Sequence, residues 1–116
     1  MGRRVGGVDR ESQWLKGVLD LAVLAVLERE GSAYGYTITD SLASAGIADI
    51  KGGTLYPLLA RLEDDHLITS SWVTGGGGPA RKYFALTARG RTALVDGRAG
   101  WRDFTDRATR ALEAAT

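Results

Sequence analysis

The chain has 116 residues, a single histidine, no cysteine and a formal net charge of +1 at pH 7. That length suits one modest domain with a small packed core. The absence of cysteine excludes disulfides, thiolate nucleophiles and thiolate zinc sites. No apolar run is long enough to span a bilayer, and Met1–Arg10 lacks the apolar stretch of a signal peptide. A cytoplasmic protein without a metal or a cofactor is expected. Charge is spread unevenly: residues 1–74 carry seven Lys/Arg against ten Asp/Glu, and residues 75–116 carry eight against four. A polyanionic partner would meet the second part more readily.

Met1–Arg10, rich in Gly and Arg, reads as an N-terminal arm that is disordered in isolation. From Glu11 the pattern turns helical. Trp14, Leu15, Val18, Leu19, Leu21, Ala22, Val23, Ala25, Val26 and Leu27 give one helix a wide apolar face. Asp9 or Ser12 is placed to cap it and Gly31 to end it. So wide an arc belongs at the centre of the core or in a contact with a partner. Ser32–Gly35 is a turn, and Tyr36–Ala45 reads as a second helix closed by Gly46.

After a loop at Ile47–Gly53, Leu55, Leu58, Leu59, Leu62 and Leu67 follow helical spacing. Thr54 would cap this third helix. That puts Pro57 in the first turn, where a missing N–H costs little. The helix is expected to end near Asp65–His66. The period then changes: "LITSSWVT" and "RKYFAL" are β-prone runs joined by "GGGGPA", a hairpin with a flexible tip. Thr87 caps a last helix in which Leu94, Trp101, Phe104, Ala108 and Leu112 form a narrow apolar stripe. Such a stripe on a long terminal helix suits a coiled-coil-like contact with a second subunit. The expected fold is mainly α with a β-hairpin: a winged helix-turn-helix over residues 11–87, then a dimerisation helix over residues 88–116.

Four consecutive glycines beside Arg81 and Lys82 raise the question of phosphate binding. A P-loop requires G-x-x-x-x-G-K-[ST] between a strand and a helix, and a dinucleotide fingerprint requires a helix opening after the glycines. Here the glycines run into Pro79-Ala80-Arg81-Lys82 and a strand, so neither nucleotide reading holds. A DNA-binding wing explains more. Glycines let the backbone approach a surface closely. Arg81 and Lys82 at the base of the loop can reach duplex phosphates or a minor groove; the alternative is two solvated charges at a hairpin end.

In the third helix, Lys51, Thr54, Tyr56 and Arg61 face away from the leucine stripe. The hydroxyls of Thr54 and Tyr56 suit phosphates, and Arg61 suits a base edge or a phosphate. Lys51 adds a cation just ahead of the helix. A half-buried surface aromatic is the equal alternative for Tyr56. Glu63, Asp64 and Asp65 would repel DNA and are expected at the far end, pointing away.

The strings "LAVLAVL", "AYGYTITDSL", "GGTLYPLLARLEDDHLI" and "GGGGPARKYFALTARGR" resemble the PadR family of transcriptional regulators, over nearly everything from Leu15 onward. The resemblance implies a homodimer of winged helix-turn-helix domains that binds double-stranded operator DNA, usually as a repressor. It implies DNA contacts at Thr54, Tyr56, Pro57, Arg81 and Lys82. The single C-terminal helix is similar to that of the smaller of the family's two subgroups. There the first and last helices form the dimer interface, and a small-molecule effector can enter a pore between them. Trp101 stands at the matching place, with Leu21 and Phe104 as further candidates, and an aromatic or planar effector is implied.

Packing of the interface core is the alternative for Trp101. Gly97 and Gly100 also leave several readings: room for a ligand, close helix approach, or a weak helix. Two departures from the family pattern stand at the third helix: Gly52 where proline is frequent and Lys51 where a serine cap is frequent. The glycine run of the wing is also unusually long.

Other chemistries find little support. His66 has no cysteine beside it. Asp64 and Asp65 are adjacent, so they point in different directions on a helix. No Gly-x-Ser-x-Gly elbow occurs. The chain is not expected to be an enzyme. The rival reading is a winged-helix protein-interaction module without a DNA role, which would present a neutral or apolar recognition surface.

Overall fold

The computed structural model describes residues 4–5 and 8–114. Two-residue strands, β1 (Arg4–Val5) and β2 (Val8–Asp9), pair antiparallel. Helices α1 (Arg10–Lys16), α2 (Leu19–Glu30), α3 (Gly35–Ser44) and α4 (Gly52–Asp64) follow. The hairpin is β3 (Ile68–Val73) and β4 (Arg81–Leu86), and α5 (Ala88–Ala114) closes the chain. The fold is the expected one, mainly helical with a hairpin and a long last helix. The arm read as disordered carries the β1–β2 pair and, at Arg10, the start of α1; its residues 1–3 and 6–7 lie outside the described ones.

The expected single helix from Glu11 to Gly31 is two helices. Gly17 N–H donates to Trp14 O at 3.1 Å and Val18 N–H to Leu15 O at 3.0 Å, which tightens and ends α1. Ala22 N–H then donates to Val18 O at 2.9 Å and starts α2. Apolar residues on both sides of Gly17 hide the break from a periodicity argument. Packing separates the two helices: α1 buries nothing, whereas α2 buries Leu19, Val23, Leu24, Val26 and Leu27.

α2 is the hub of the core and packs against α3, β4 and α5. Ala33 ahead of α3, Ile38 and Leu42 of α3, the four leucines 55, 58, 59 and 62 of α4, Ile68, Phe84 and Leu86 of the hairpin, and Leu94 of α5 complete it. No polar or charged side chain is buried among the described residues, so the core rests on apolar burial alone. Exposed polar links trim the edges: Arg29 donates to Ser41 Oγ at 2.7 Å, and Arg98 pairs with Glu28 at 3.2 Å.

Helix ends follow local chemistry. Gly46, at φ 97°, closes α3: Ile47 N–H returns to Leu42 O at 2.9 Å and Gly46 N–H to Ala43 O at 2.9 Å. His66, at φ 61°, closes α4 in the same way, with Leu67 N–H on Leu62 O at 3.0 Å and His66 N–H on Glu63 O at 3.0 Å. Thr87 caps α5 as expected: its Oγ1 accepts from Gly90 N–H at 3.0 Å and donates to His66 O at 2.7 Å.

α4 departs from expectation at its start. It begins at Gly52, with extended Lys51 ahead of it, and no side chain caps it. Lys51 O accepts from Thr54 N–H at 3.0 Å and Leu55 N–H at 2.9 Å. Thr54 is therefore inside the first turn and Pro57 lies beyond it. Pro57 deprives Gly53 O of its helical donor, at a place where Gly53 and Pro57 are both exposed to solvent.

Two glycines of α5 mark close approach. A Cβ on buried Gly90 would collide with the Leu67 carbonyl oxygen, a backbone atom that cannot swing aside. A Cβ on Gly97 would run into Leu21 Cδ1, so Gly97 brings α5 close to α2 within one chain rather than making room for a ligand. Gly90→Ala should lower stability by about 1–3 kcal/mol through overpacking, although alanine is the better helix former. Urea denaturation checks this, and an unchanged or raised midpoint would contradict the packing.

Candidate nucleic-acid interface

The short turn between α3 and α4 and the apolar face of α4 fix the second helix of the pair. Leu55, Leu58, Leu59 and Leu62 point inward, so Gly53, Pro57 and Ala60 point outward by the 3.6-residue period. Thr54 and Arg61, seven residues apart, share one flank, and Tyr56 lies on the other. All three are exposed, as are Lys51 and Pro57. Lys51 and Arg61 enter no ion pair among the described residues, so both charges face solvent.

Tyr56 is held across the helix pair. Its ring lies 3.4 Å from where a Cβ on Gly52 would stand, and its hydroxyl occupies the place a Cβ on Gly35 would take. Gly35 opens α3 and Gly52 opens α4, so one phenol bridges both helix N-termini. The residue is still 55% exposed, which leaves it available to a partner while its seat is fixed.

The wing is attached by its backbone. Ala33 and Phe84 exchange both hydrogen bonds, Ala33 N–H to Phe84 O at 3.0 Å and Phe84 N–H to Ala33 O at 2.8 Å. Ala33 thus lies along the free edge of β4, and β3 pairs with the other edge in register from Ile68↔Leu86 to Val73↔Arg81. Tyr34 follows directly and caps α3 in extended conformation. Its ring lies 5.3 Å from Tyr83 and 6.3 Å from Tyr36. The Arg81 guanidinium sits over it, 4.7 Å from the ring centroid.

Arg81 and Lys82 therefore part company. Neighbours on a strand point to opposite faces. Arg81 joins the tyrosine face at the N-terminus of α3. Lys82 turns the other way, with its Nζ 3.9 Å from Glu63 Oε1, 5.7 Å from the Phe84 ring centroid and 5.9 Å from that of Trp72. Ser70 Oγ donates to the other Glu63 oxygen at 2.5 Å. Glu63 is thus engaged beneath the wing rather than pointing free. The sequence reading did not include Tyr34, Tyr36 or Trp72, the last two strongly exposed.

A second region lies on α1, α2 and α5. Trp101 borders an apolar hollow of about 230 Å³ with Trp14, Leu15, Val18, Ile47 and Ala48. It also borders one of about 240 Å³ with Leu21, Ala22, Ala25, Leu94 and Arg98. Trp101 and Leu21 are thus brought together. Phe104, its ring 6.3 Å from Trp101, lines neither hollow. Trp14 is the aromatic that the sequence reading left outside this site.

Gly35→Ala should displace Tyr56 rather than break the fold, because the atom it meets is the end of an exposed side chain. Duplex affinity should drop while far-UV circular dichroism stays unchanged. In a Tyr56→Ala background the same change should add no further loss; an equal loss in both backgrounds would contradict the coupling.

Comparison with known proteins places this geometry. The sequence model of the transcriptional regulator PadR-like family matches residues 23–96, well over half of the chain. A PadR family transcriptional regulator from Eggerthella lenta is similar in structure, with a TM-score of 0.80 and 38% identity, covering 89% of this chain and 88% of that one. A PadR-like transcriptional regulator from Bacillus cereus superposes with a TM-score of 0.74 at 31% identity, covering 86% of this chain and 96% of that one. Bacillus subtilis PadR, solved in complex with operator DNA, matches with a TM-score of 0.60 at 32% identity over 68% of this chain and 45% of that longer one. The chain belongs to the PadR-like family of transcriptional regulators, which are DNA-binding proteins and not enzymes.

Proposed function

We propose that this chain is a homodimeric repressor that holds two winged helix-turn-helix units on double-stranded operator DNA. The observation that carries the dimer is the last helix. α5 has 27 residues, about 40 Å at 1.5 Å per residue, yet buries only Gly90 and Leu94. Val95, Trp101, Phe104 and Leu112 are left exposed, as is Trp14 on α1. The radius of gyration is 16.3 Å, against about 13 Å for a compact chain of about 100 residues. A second copy packing α1 and α5 against this stripe supplies the missing cover.

Within that reading, Lys51, Thr54, Tyr56, Pro57 and Arg61 meet the major groove and its phosphates, and the wing meets the flanking backbone. Arg81 carries the wing contact more than Lys82, because Glu63 already shares the lysine's charge. The effector site lies at Trp101. Each hollow beside it, at about 230 and 240 Å³, falls short of the roughly 300 Å³ of small ligand sites. The partner's copy of the same surface completes the walls, and a planar aromatic compound stacking on Trp101 shifts the dimer and releases DNA.

Sedimentation should give a dimer, and mobility shift with the duplex upstream of its own gene should give a retarded species that competitor DNA does not remove. A monomer, or no retarded species at low salt, would sink the proposal. Arg81→Ala should reduce the salt dependence of binding by about one unit of slope, and Lys82→Ala by less. Planar aromatic compounds should quench Trp101 fluorescence and release the duplex together; quenching without release would separate the site from regulation.

A further inference from the structure

The wing cation that faces the tyrosines does not stand there unaided. Arg81 leaves a hairpin whose tip is Gly75–Gly78, and it borders a hollow under that tip with Val73, Pro79 and Tyr83. A free arginine at such a place samples many rotamers, and ordering it on contact costs affinity. Its guanidinium instead lies 4.7 Å from the Tyr34 ring centroid. Tyr83, two residues along the same face of β4, closes on the same ring at 5.3 Å. Tyr34 is itself fixed, because the residue before it exchanges both backbone hydrogen bonds with Phe84. Among the described residues Arg81 pairs with no carboxylate, so its charge stays available.

We infer that Tyr34 is a positioning residue for DNA binding: its ring is the platform that presents the Arg81 guanidinium to the duplex backbone. An aromatic face attracts a guanidinium through its quadrupole and leaves the in-plane N–H donors free for phosphate oxygens. One residue thus ties the N-terminus of the first helix of the pair to the working cation of the wing. The inference rests on the reading of Arg81 as a DNA contact.

The test keeps the shape of residue 34 and changes its electronics. Tyr34 is replaced by Phe and by increasingly fluorinated phenylalanines, which drain the face of the ring without altering the fold. Affinity for a fluorescein-labelled mixed-sequence duplex is read by anisotropy, in the wild-type and Arg81→Ala backgrounds. Tyr34→Phe is the unfluorinated reference of the series. The most fluorinated form should bind about two- to fivefold more weakly, and the series should be flat in the Arg81→Ala background. A flat series in both backgrounds, with Arg81→Ala itself weakened, overturns the platform. An equal decline in both backgrounds overturns it too, because the ring would then act on the duplex directly. If Arg81→Ala binds like wild type, the wing contact itself fails, and the inference with it.

Discussion

The exchange of two backbone hydrogen bonds between Ala33 and Phe84 decides how the wing stands relative to the helix pair. Backbone bonds of this kind fix position and direction together, because donor and acceptor must align. They hold β4 beside the N-terminus of α3, and so place Tyr34, Tyr36, Tyr83 and Arg81 on one surface. Gly35, the next residue but one after Ala33, seats Tyr56 from α4 against that surface. α3, α4 and the wing thereby share an aromatic face with a guanidinium, that of Arg81, which pairs with no carboxylate among the described residues. A hairpin joined only by its tip and its base would lack this orientation.

Apolar burial does the rest, through α2. With no polar or charged side chain buried among the described residues, no side-chain hydrogen bond specifies the geometry of the core. Close approach does so instead: Gly90 against the Leu67 carbonyl and Gly97 against Leu21 set the angle at which α5 leaves the domain. Past Trp101 the helix leaves Phe104 and Leu112 exposed, the surface that the proposed second copy would cover.

Much of the fold could be read along the chain. The leucines of α4, the glycines of the hairpin and the Thr87 cap are local signals, and each stands where its chemistry put it. The break at Gly17 was not legible from periodicity, because α1 and α2 keep apolar residues in step on both sides. The start of α4 was missed because Thr54 looks like a cap, whereas the backbone at extended Lys51 opens the helix without one. In the candidate site, Tyr56 and Arg81 were visible from the motifs. The opposite facing of Arg81 and Lys82 follows from strand alternation and was open to inference. Tyr34 was not: its role depends on a pairing between residues some fifty positions apart, which no spacing rule reveals. Leu21 and Trp101 also meet across two helices, and there the family resemblance, not spacing, named both residues.

The central claim is that the N-termini of α3 and α4 and the base of the wing act as one DNA-binding face. Hydrogen–deuterium exchange on the intact protein, with and without a duplex, tests it most directly. The account predicts that residues 33–36, 51–57 and 81–84 gain protection together, at the same duplex concentration. Protection confined to the wing alone, or appearing on the outer half of α5 with the two helix N-termini unchanged, would contradict it.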